Sequence, residues 1–299
     1  MAGGLPLYHL DVFAERPYAG NPLAVVLADD GPDPSAGAMQ TIARELHLSE
    51  TVFVLAGGRQ GTRLRIFTPA TELPFAGHPT VGAAWLLAHL RRVATGSPFG
   101  LEVAAGPLEA RVEAGEGGGL GAATVRAPDP HPAGADEREP DLTGRVASAV
   151  LEAAGLSESD LAGPPPESWS TGNLHHITLL KPGTDLDAIR PDLRRLAESF
   201  PEGGCLLAVV DAPGRARARY FAPAIGVPED PATGSAAAAF TGFLAARRPE
   251  ALDDGRVRIE QGAGMGQPSV LHGRWRDGVV EISGTAHLLY QAELPRPEA

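Results

Sequence analysis

The chain of 299 residues contains one cysteine, Cys205, and one lysine, Lys181. A single cysteine excludes an intramolecular disulfide framework, and it excludes a mechanism that needs two opposed thiols. Lys181 lies in Lys181-Pro182-Gly183, which reads as a turn, so a lysine Schiff base with pyridoxal phosphate is not expected. No apolar run reaches about 18 residues, so no membrane span or membrane partner is expected. The first residues, Met1-Ala2-Gly3-Gly4-Leu5-Pro6, lack a basic region followed by an apolar core, and the expected location is cytoplasmic. Basic clusters are no larger than Arg91-Arg92 and Arg247-Arg248, and the net charge is −12, which argues against nucleic-acid binding. A small anionic substrate stays compatible with that charge, because helix N-termini act locally. His175 and His176 are neighbours in a predicted strand and point to opposite faces. No pair of histidines shares helical ligand spacing with a carboxylate, and no metal is expected. The run Thr233-Gly234-Ser235-Ala236-Ala237 lacks the second glycine of a nucleophile elbow.

What is present is a repeat. Residues 65–74 read RIFTPATELP and residues 219–228 read RYFAPAIGVP. Each copy is followed by a glycine-containing turn and a run of small apolar residues: Gly77-His78-Pro79-Thr80-Val81-Gly82 in one, Thr233-Gly234-Ser235-Ala236-Ala237-Ala238 in the other. A duplicated half-domain follows. Two similar lobes create one cleft, in which the polar residues of both turns can meet.

The runs 80–90 and 235–245 are apolar on nearly every face, so each predicted helix is surrounded rather than laid on a surface. The expected architecture is α+β, with two pseudo-symmetric lobes, each a curved, mostly antiparallel, barrel-like sheet around a central buried helix. Predicted strands cover 7–13, 23–27, 51–55, 63–67, 177–180, 205–210, 216–221, 257–260 and 279–283. Met39, Ile42, Ala43 and Leu46 fall at helical spacing, and a further helix is expected near 145–154. The glycine-rich segment 115–119 tips a hairpin between 109–113 and 122–126. The proline-rich stretch 128–140 is the linker candidate. It gives an N-terminal lobe of 1–127 and a C-terminal lobe of 128–299, the last strand left free to pack back on the first lobe.

Several residues in these turns suit chemistry. Glu50 immediately precedes the apolar strand 51–55: it either projects into a cleft or is a solvated strand-start acid. His78, just before Pro79, is at a helix N-terminus as the cap or the residue outside it. There the helix dipole favours a neutral imidazole, which donates one hydrogen bond and accepts another; the plainer alternative is a capping or packing histidine. Asp230 adds an acid beside Thr233, Gly234 and Ser235. Ser235 reads as the N-cap of the second buried helix, and this group can aim hydroxyls and N–H groups at an anion or form an ordinary acidic turn and cap. Gly262, in the glycine-rich turn 261–269, either approaches a ligand with bare backbone or serves a wide connection. No Lys-Ser or Lys-Thr pair follows its glycines, so it is not a P-loop.

Taken in order, these stretches resemble the PhzF-like phenazine-biosynthesis isomerases, within the diaminopimelate epimerase fold. The resemblance rests on Asp11-Val12-Phe13, Gly20-Asn21-Pro22, Glu50-Thr51-Val52-Phe53, Phe67-Thr68-Pro69 and the run 74–80. It continues with 219–223, Pro228 through Ala236, Gln261-Gly262 and 265–269. It implies an active site between two lobes, no cofactor, and a homodimer. It implies Glu50 as proton shuttle, His78 and Asp230 as assisting catalytic residues, and Ser235 as a substrate-carboxylate contact. Asn21, Gly77, Thr233, Gly234 and Gly262 complete the expected substrate-binding set. The best-known family activity isomerises trans-2,3-dihydro-3-hydroxyanthranilate. Gln267 departs from the family pattern, which often has arginine there, and this removes a charge-assisted contact. The implied function is a cofactor-independent isomerase that moves a proton between carbons of a small, cyclic carboxylate. The alternatives are an idle carboxylate-binding protein and an epimerase that uses carboxylate and histidine in place of two cysteines.

Overall fold

The computed structural model describes residues 4–59, 61–133 and 142–296, and the chain divides into two compact units. One comprises Met1–Arg126 with Ser283–Ala299; the other is Ala127–Ile282.

In the first unit β1 (Leu5–Val12) lies antiparallel to β2 (Asn21–Ala28), and helix α1 (Ala36–Leu46) carries the chain to β3 (Thr51–Leu55), parallel to β2. β4 (Thr62–Phe67) returns antiparallel to β3 and pairs on its other side with the short β5 (Glu72–Leu73). Helix α2 (Gly77–His89) then crosses to β6 (Phe99–Val103), parallel to the start of β4, and β7 (Gly106–Ala114) and β8 (Leu120–Arg126) complete a meander. The chain's final strand, Ala286–Leu294, pairs antiparallel with β1 from Leu5↔Leu294 to Val12↔Ala286, which is why the tail belongs to this unit.

The second unit repeats that order. Here β9 (His131–Pro132), helix α3 (Leu142–Ala154), β10 (Glu167–Ser170) and β11 (Leu174–Leu180) precede helix α4 (Leu193–Ser199). β12 (Gly204–Ala212) is parallel to β11, and β13 (Arg215–Ala222) is antiparallel to β12. β14 (Val227–Asp230) pairs with the end of β13; helix α5 (Gly234–Arg247) crosses to β15 (Arg256–Gln261), parallel to β13. β16 (Ser269–Arg276) and β17 (Val279–Gly284) follow, and β18 is the final strand already described. Residues 134–140 of the expected linker lie outside the described residues. Its start is built in, since β9 pairs with β10 and Pro130 packs on Gly242.

The two central helices are core by composition. Every residue of α2 from Gly77 to Ala88, and of α5 from Gly234 to Leu244, is buried. α2 touches β1, β2, β3, β7 and β8, so its sheet must curve around it; α5 likewise meets β9, β10, β11, β15 and β16. Gly82 lets α2 approach that closely: a Cβ there would lie 2.4 Å from Leu23 Cδ2 and 2.8 Å from Val12 Cγ2. The outer sheet faces carry amphipathic helices. Met39 and Ala43 of α1 pack with Phe53 and Phe67, and Val146 and Val150 of α3, Leu196 of α4 and Phe200 just after it pack with Leu207 and Phe221. Each fully buried side chain of this size contributes roughly 1.5–3 kcal/mol.

The repeated Arg-x-Phe has a structural cause. Arg65 forks onto Glu72 at 2.7 and 2.5 Å with its guanidinium 5.2 Å from the Phe67 ring centre. Arg219 forks onto Glu229 at 2.7 and 2.9 Å and lies 4.8 Å from Phe221. In each unit the arginine therefore ties a strand to the short strand that leads into the central helix.

Candidate functional site

In the first unit a turn after β1 delivers Asn21. Gly20 is at φ 78°, and a Cβ on it would lie 2.4 Å from the Val12 carbonyl oxygen, so glycine is required there. The Tyr18 N–H donates to Asp11 Oδ2 at 2.7 Å and pins the loop. Burial pushes the Asp11 carboxyl above its ordinary value, and that N–H opposes the shift. Asn21 is buried, and its Oδ1 accepts from the Ser49 hydroxyl at 3.1 Å. Its Nδ2 lies 3.5 Å from His78 Nδ1, and the same Nδ1 is 3.1 Å from Glu50 Oε2. The Glu50 side chain is 12% exposed and that of His78 2%, so Glu50 is not the solvated strand-start acid of the plainer reading.

His78 sits one step deeper than the sequence suggests. Helix α2 starts at Gly77 with Ala76 as N-cap, so His78 is the second residue of the helix, neither its cap nor outside it. Ala76 has no capping side chain; its carbonyl is instead engaged by Thr80 Oγ1 at 2.7 Å. Pro79 fits the first turn, where a missing N–H costs no helical hydrogen bond. One proton satisfies the close Glu50–His78 contact, carried either by Nδ1 or by the carboxyl.

In the second unit Asp230, 4% exposed, ends β14. The Thr233 hydroxyl donates to Asp230 Oδ2 at 2.5 Å. Gln261 Nε2 donates to the Asp230 carbonyl at 2.7 Å and to Thr233 Oγ1 at 3.2 Å. Gln261, which the sequence places in the glycine-rich turn and the structure at the end of β15, clamps this loop. Helix α5 begins at Gly234 with Thr233 as N-cap, which corrects the expectation that Ser235 is the cap. The cap makes no side-chain bond to the helix, because the Thr233 hydroxyl is engaged with Asp230. Ser235 is buried in the first turn, and its carbonyl accepts from Thr171 Oγ1 at 3.2 Å. Gly262 has a packing reason: at φ 77°, a Cβ would lie 2.4 Å from the Gln267 carbonyl oxygen and 2.7 Å from that of Pro231. Gly77 and Gly234 hold equivalent places, each the first residue of a central helix.

The geometry thus groups Asn21, Ser49, Glu50 and His78 in one unit and Asp230, Thr233, Ser235 and Gln261 in the other. A family model described as phenazine biosynthesis-like protein matches residues 10–292. The chain belongs to this family. It is 38% identical over 284 residues to the trans-2,3-dihydro-3-hydroxyanthranilate isomerase of Pseudomonas chlororaphis, covering 92% of this chain and 94% of that one. It is 33% identical over 299 residues to an uncharacterized isomerase, YddE, of Salmonella typhimurium, covering 96% and 97%. Among solved structures, a predicted epimerase from Pseudomonas aeruginosa matches with a TM-score of 0.80 at 34% identity, over 97% of this chain and 99% of that one. A probable proline racemase from Agrobacterium radiobacter matches at a TM-score of 0.65 and 11% identity, over 97% and 92%, and shows the shared fold alone.

This member of the phenazine biosynthesis-like family is an isomerase with the α+β fold of the diaminopimelate epimerases and proline racemases. Among the described residues no group of three His, Cys, Asp or Glu could hold a metal ion, and no helix is long and apolar enough to cross a membrane.

Proposed function

We propose that the protein moves a proton between two carbons of a small cyclic carboxylate, with Glu50 as the single shuttle. The observation that carries this reading is the 3.1 Å contact between the 12% exposed Glu50 carboxylate and the buried His78 Nδ1. The Glu50 carboxylate takes a proton from one ring carbon. The C–H electron pair becomes a new C=C bond, the existing C=C pair moves along, and the far carbon takes the proton back from the Glu50 carboxyl. No atom is gained or lost, so the step needs no cofactor. His78 keeps a hydrogen bond on Glu50 in both protonation states, and general acid–base catalysis of this kind is worth about 100-fold or more.

The reading assigns the second polar group to the same substrate. Asp230, aligned by Thr233, assists proton transfer, and Ser235 at the first turn of α5 holds the substrate carboxylate with the local dipole. Asn21, Gly77, Thr233, Gly234 and Gly262 shape the binding site. The 38% identical relative suggests trans-2,3-dihydro-3-hydroxyanthranilate as the first substrate to try. A homodimer in the cytoplasm is part of the same proposal. Proton NMR of this compound and related cyclic carboxylates in deuterated water, with and without enzyme, tests it. Double-bond migration with deuterium uptake supports the reading, and activity only on addition of a cofactor overturns it.

A further inference from the structure

The duplicated topology shows what the second unit carries where the first has Glu50. β3 meets β4 through Thr51↔Phe67, and β12 meets β13 through Cys205↔Phe221, each phenylalanine two residues beyond the repeated arginine. The residue before Thr51 is Glu50; the residue before Cys205 is Gly204. That glycine leaves room for a phenol: a Cβ on Gly204 would lie 2.6 Å from both Cζ and the hydroxyl oxygen of Tyr220. The Tyr220 hydroxyl is 2.9 Å from His175 Nδ1. His175 is 1% exposed, and its Nε2 is buried without a hydrogen-bond partner among the described residues. Tyr220 faces Asp230 across β13 and β14, so both side chains share one face of the sheet. Burial pushes the His175 imidazole down to about 3, so the couple carries no charge near neutral pH.

We propose that Tyr220, aligned by His175, is a specificity-determining group of the second unit and selects a substrate whose ring bears an uncharged hydroxyl or carbonyl group besides its carboxylate. An uncharged donor–acceptor pair matches such a substituent and leaves a second carboxylate unpaired in a buried place. The proposal rests on the isomerase reading only for the identity of the site.

Calorimetric titration with benzoate, its three hydroxy isomers and benzene-1,3-dicarboxylate tests the pair without turnover. The wild type binds the best hydroxybenzoate about tenfold tighter than benzoate, the worth of one well-placed hydrogen bond, and the dicarboxylate more weakly than benzoate. Tyr220→Phe, which keeps the ring, abolishes the hydroxyl preference and leaves benzoate affinity intact. Gly204→Ala, whose methyl would meet the phenol at 2.6 Å and the Phe221 carbonyl oxygen at 2.7 Å, weakens the hydroxyl preference, with circular dichroism to confirm folding. A preference that survives Tyr220→Phe, an equal loss for benzoate and hydroxybenzoate, or no binding of any of these acids overturns the proposal. A Tyr220-dependent preference without proton exchange on any substrate overturns the isomerase reading alone. Exchange without such a preference overturns only the role of Tyr220.

Discussion

The two copies of the Arg-x-Phe device make unequal contributions, and that inequality is measurable. Arg219 makes the fork to Glu229 and in addition donates Nη1 to the carbonyls of Leu186 and Ile189, each at 2.8 Å. Its side chain is 13% exposed and that of Glu229 21%. Arg219→Ala leaves one largely buried carboxylate and two carbonyls without their donor. A mostly buried pair broken on one side costs about 3 kcal/mol, and two lost carbonyl bonds add about 1 kcal/mol each before relaxation. A loss of about 3–5 kcal/mol is expected. The Arg65 fork to Glu72 is more open, at 29% and 34% exposure, and water replaces much of what Arg65→Ala removes. About 1 kcal/mol is expected there. Urea unfolding followed by tryptophan fluorescence and circular dichroism measures both losses, with each unit allowed its own transition. Equal losses, or a larger one for Arg65→Ala, would refute the assignment of Arg219 as the anchor of the segment that carries Asp230.

Gly82→Ala should cost about 1–3 kcal/mol in thermal unfolding, because the new methyl meets Leu23 and Val12 at 2.4 and 2.8 Å; an unchanged midpoint contradicts the packing account. Cys205, 1% exposed with its thiol pushed up by burial, should resist iodoacetamide in the folded protein at pH 8, and turnover should survive the treatment; rapid alkylation contradicts this. Burial lowers His175 to about 3 and His176 to about 4, so the folded protein keeps both neutral while the unfolded chain binds protons below about pH 6.5. Their contribution is full above pH 6.5 and is lost as pH falls towards 4, at up to about 1.4 kcal/mol per pH unit for each. His176→Asn should flatten that slope, and an unchanged acid slope refutes it.

The parts of the fold that could be read in the sequence were those with long, uniform signals. The all-round apolar runs identified both central helices, and the motifs singled out Glu50 and His78, which the fold brings to 3.1 Å. Short elements escaped. β10 shows a single large apolar residue, Trp169; Gly273, which a Cβ would drive to 2.0 Å from Thr241 Oγ1, interrupts the pattern of β16. Helix α4 has seven residues, too few for a period to declare itself, and starts from Asp192, whose carboxylate accepts from the Arg195 N–H at 3.0 Å. Serine and threonine both cap well, so residue type alone does not separate Ser235 from Thr233; the helix starts at Gly234, and the hydroxyl of its cap Thr233 turns back to Asp230. The Tyr220–His175 couple is not legible in the sequence because it joins strands 45 residues apart.

The most direct test of the central claim is turnover by Glu50→Gln in deuterated water, across a panel of unsaturated and hydroxylated cyclic carboxylates. Glutamine keeps the shape and the polar contacts of Glu50 but cannot accept the proton. The account predicts ligand affinity close to wild type, with isomerisation and deuterium incorporation reduced by about 100-fold or more. Wild-type turnover by Glu50→Gln on a substrate that the native enzyme isomerises would contradict it.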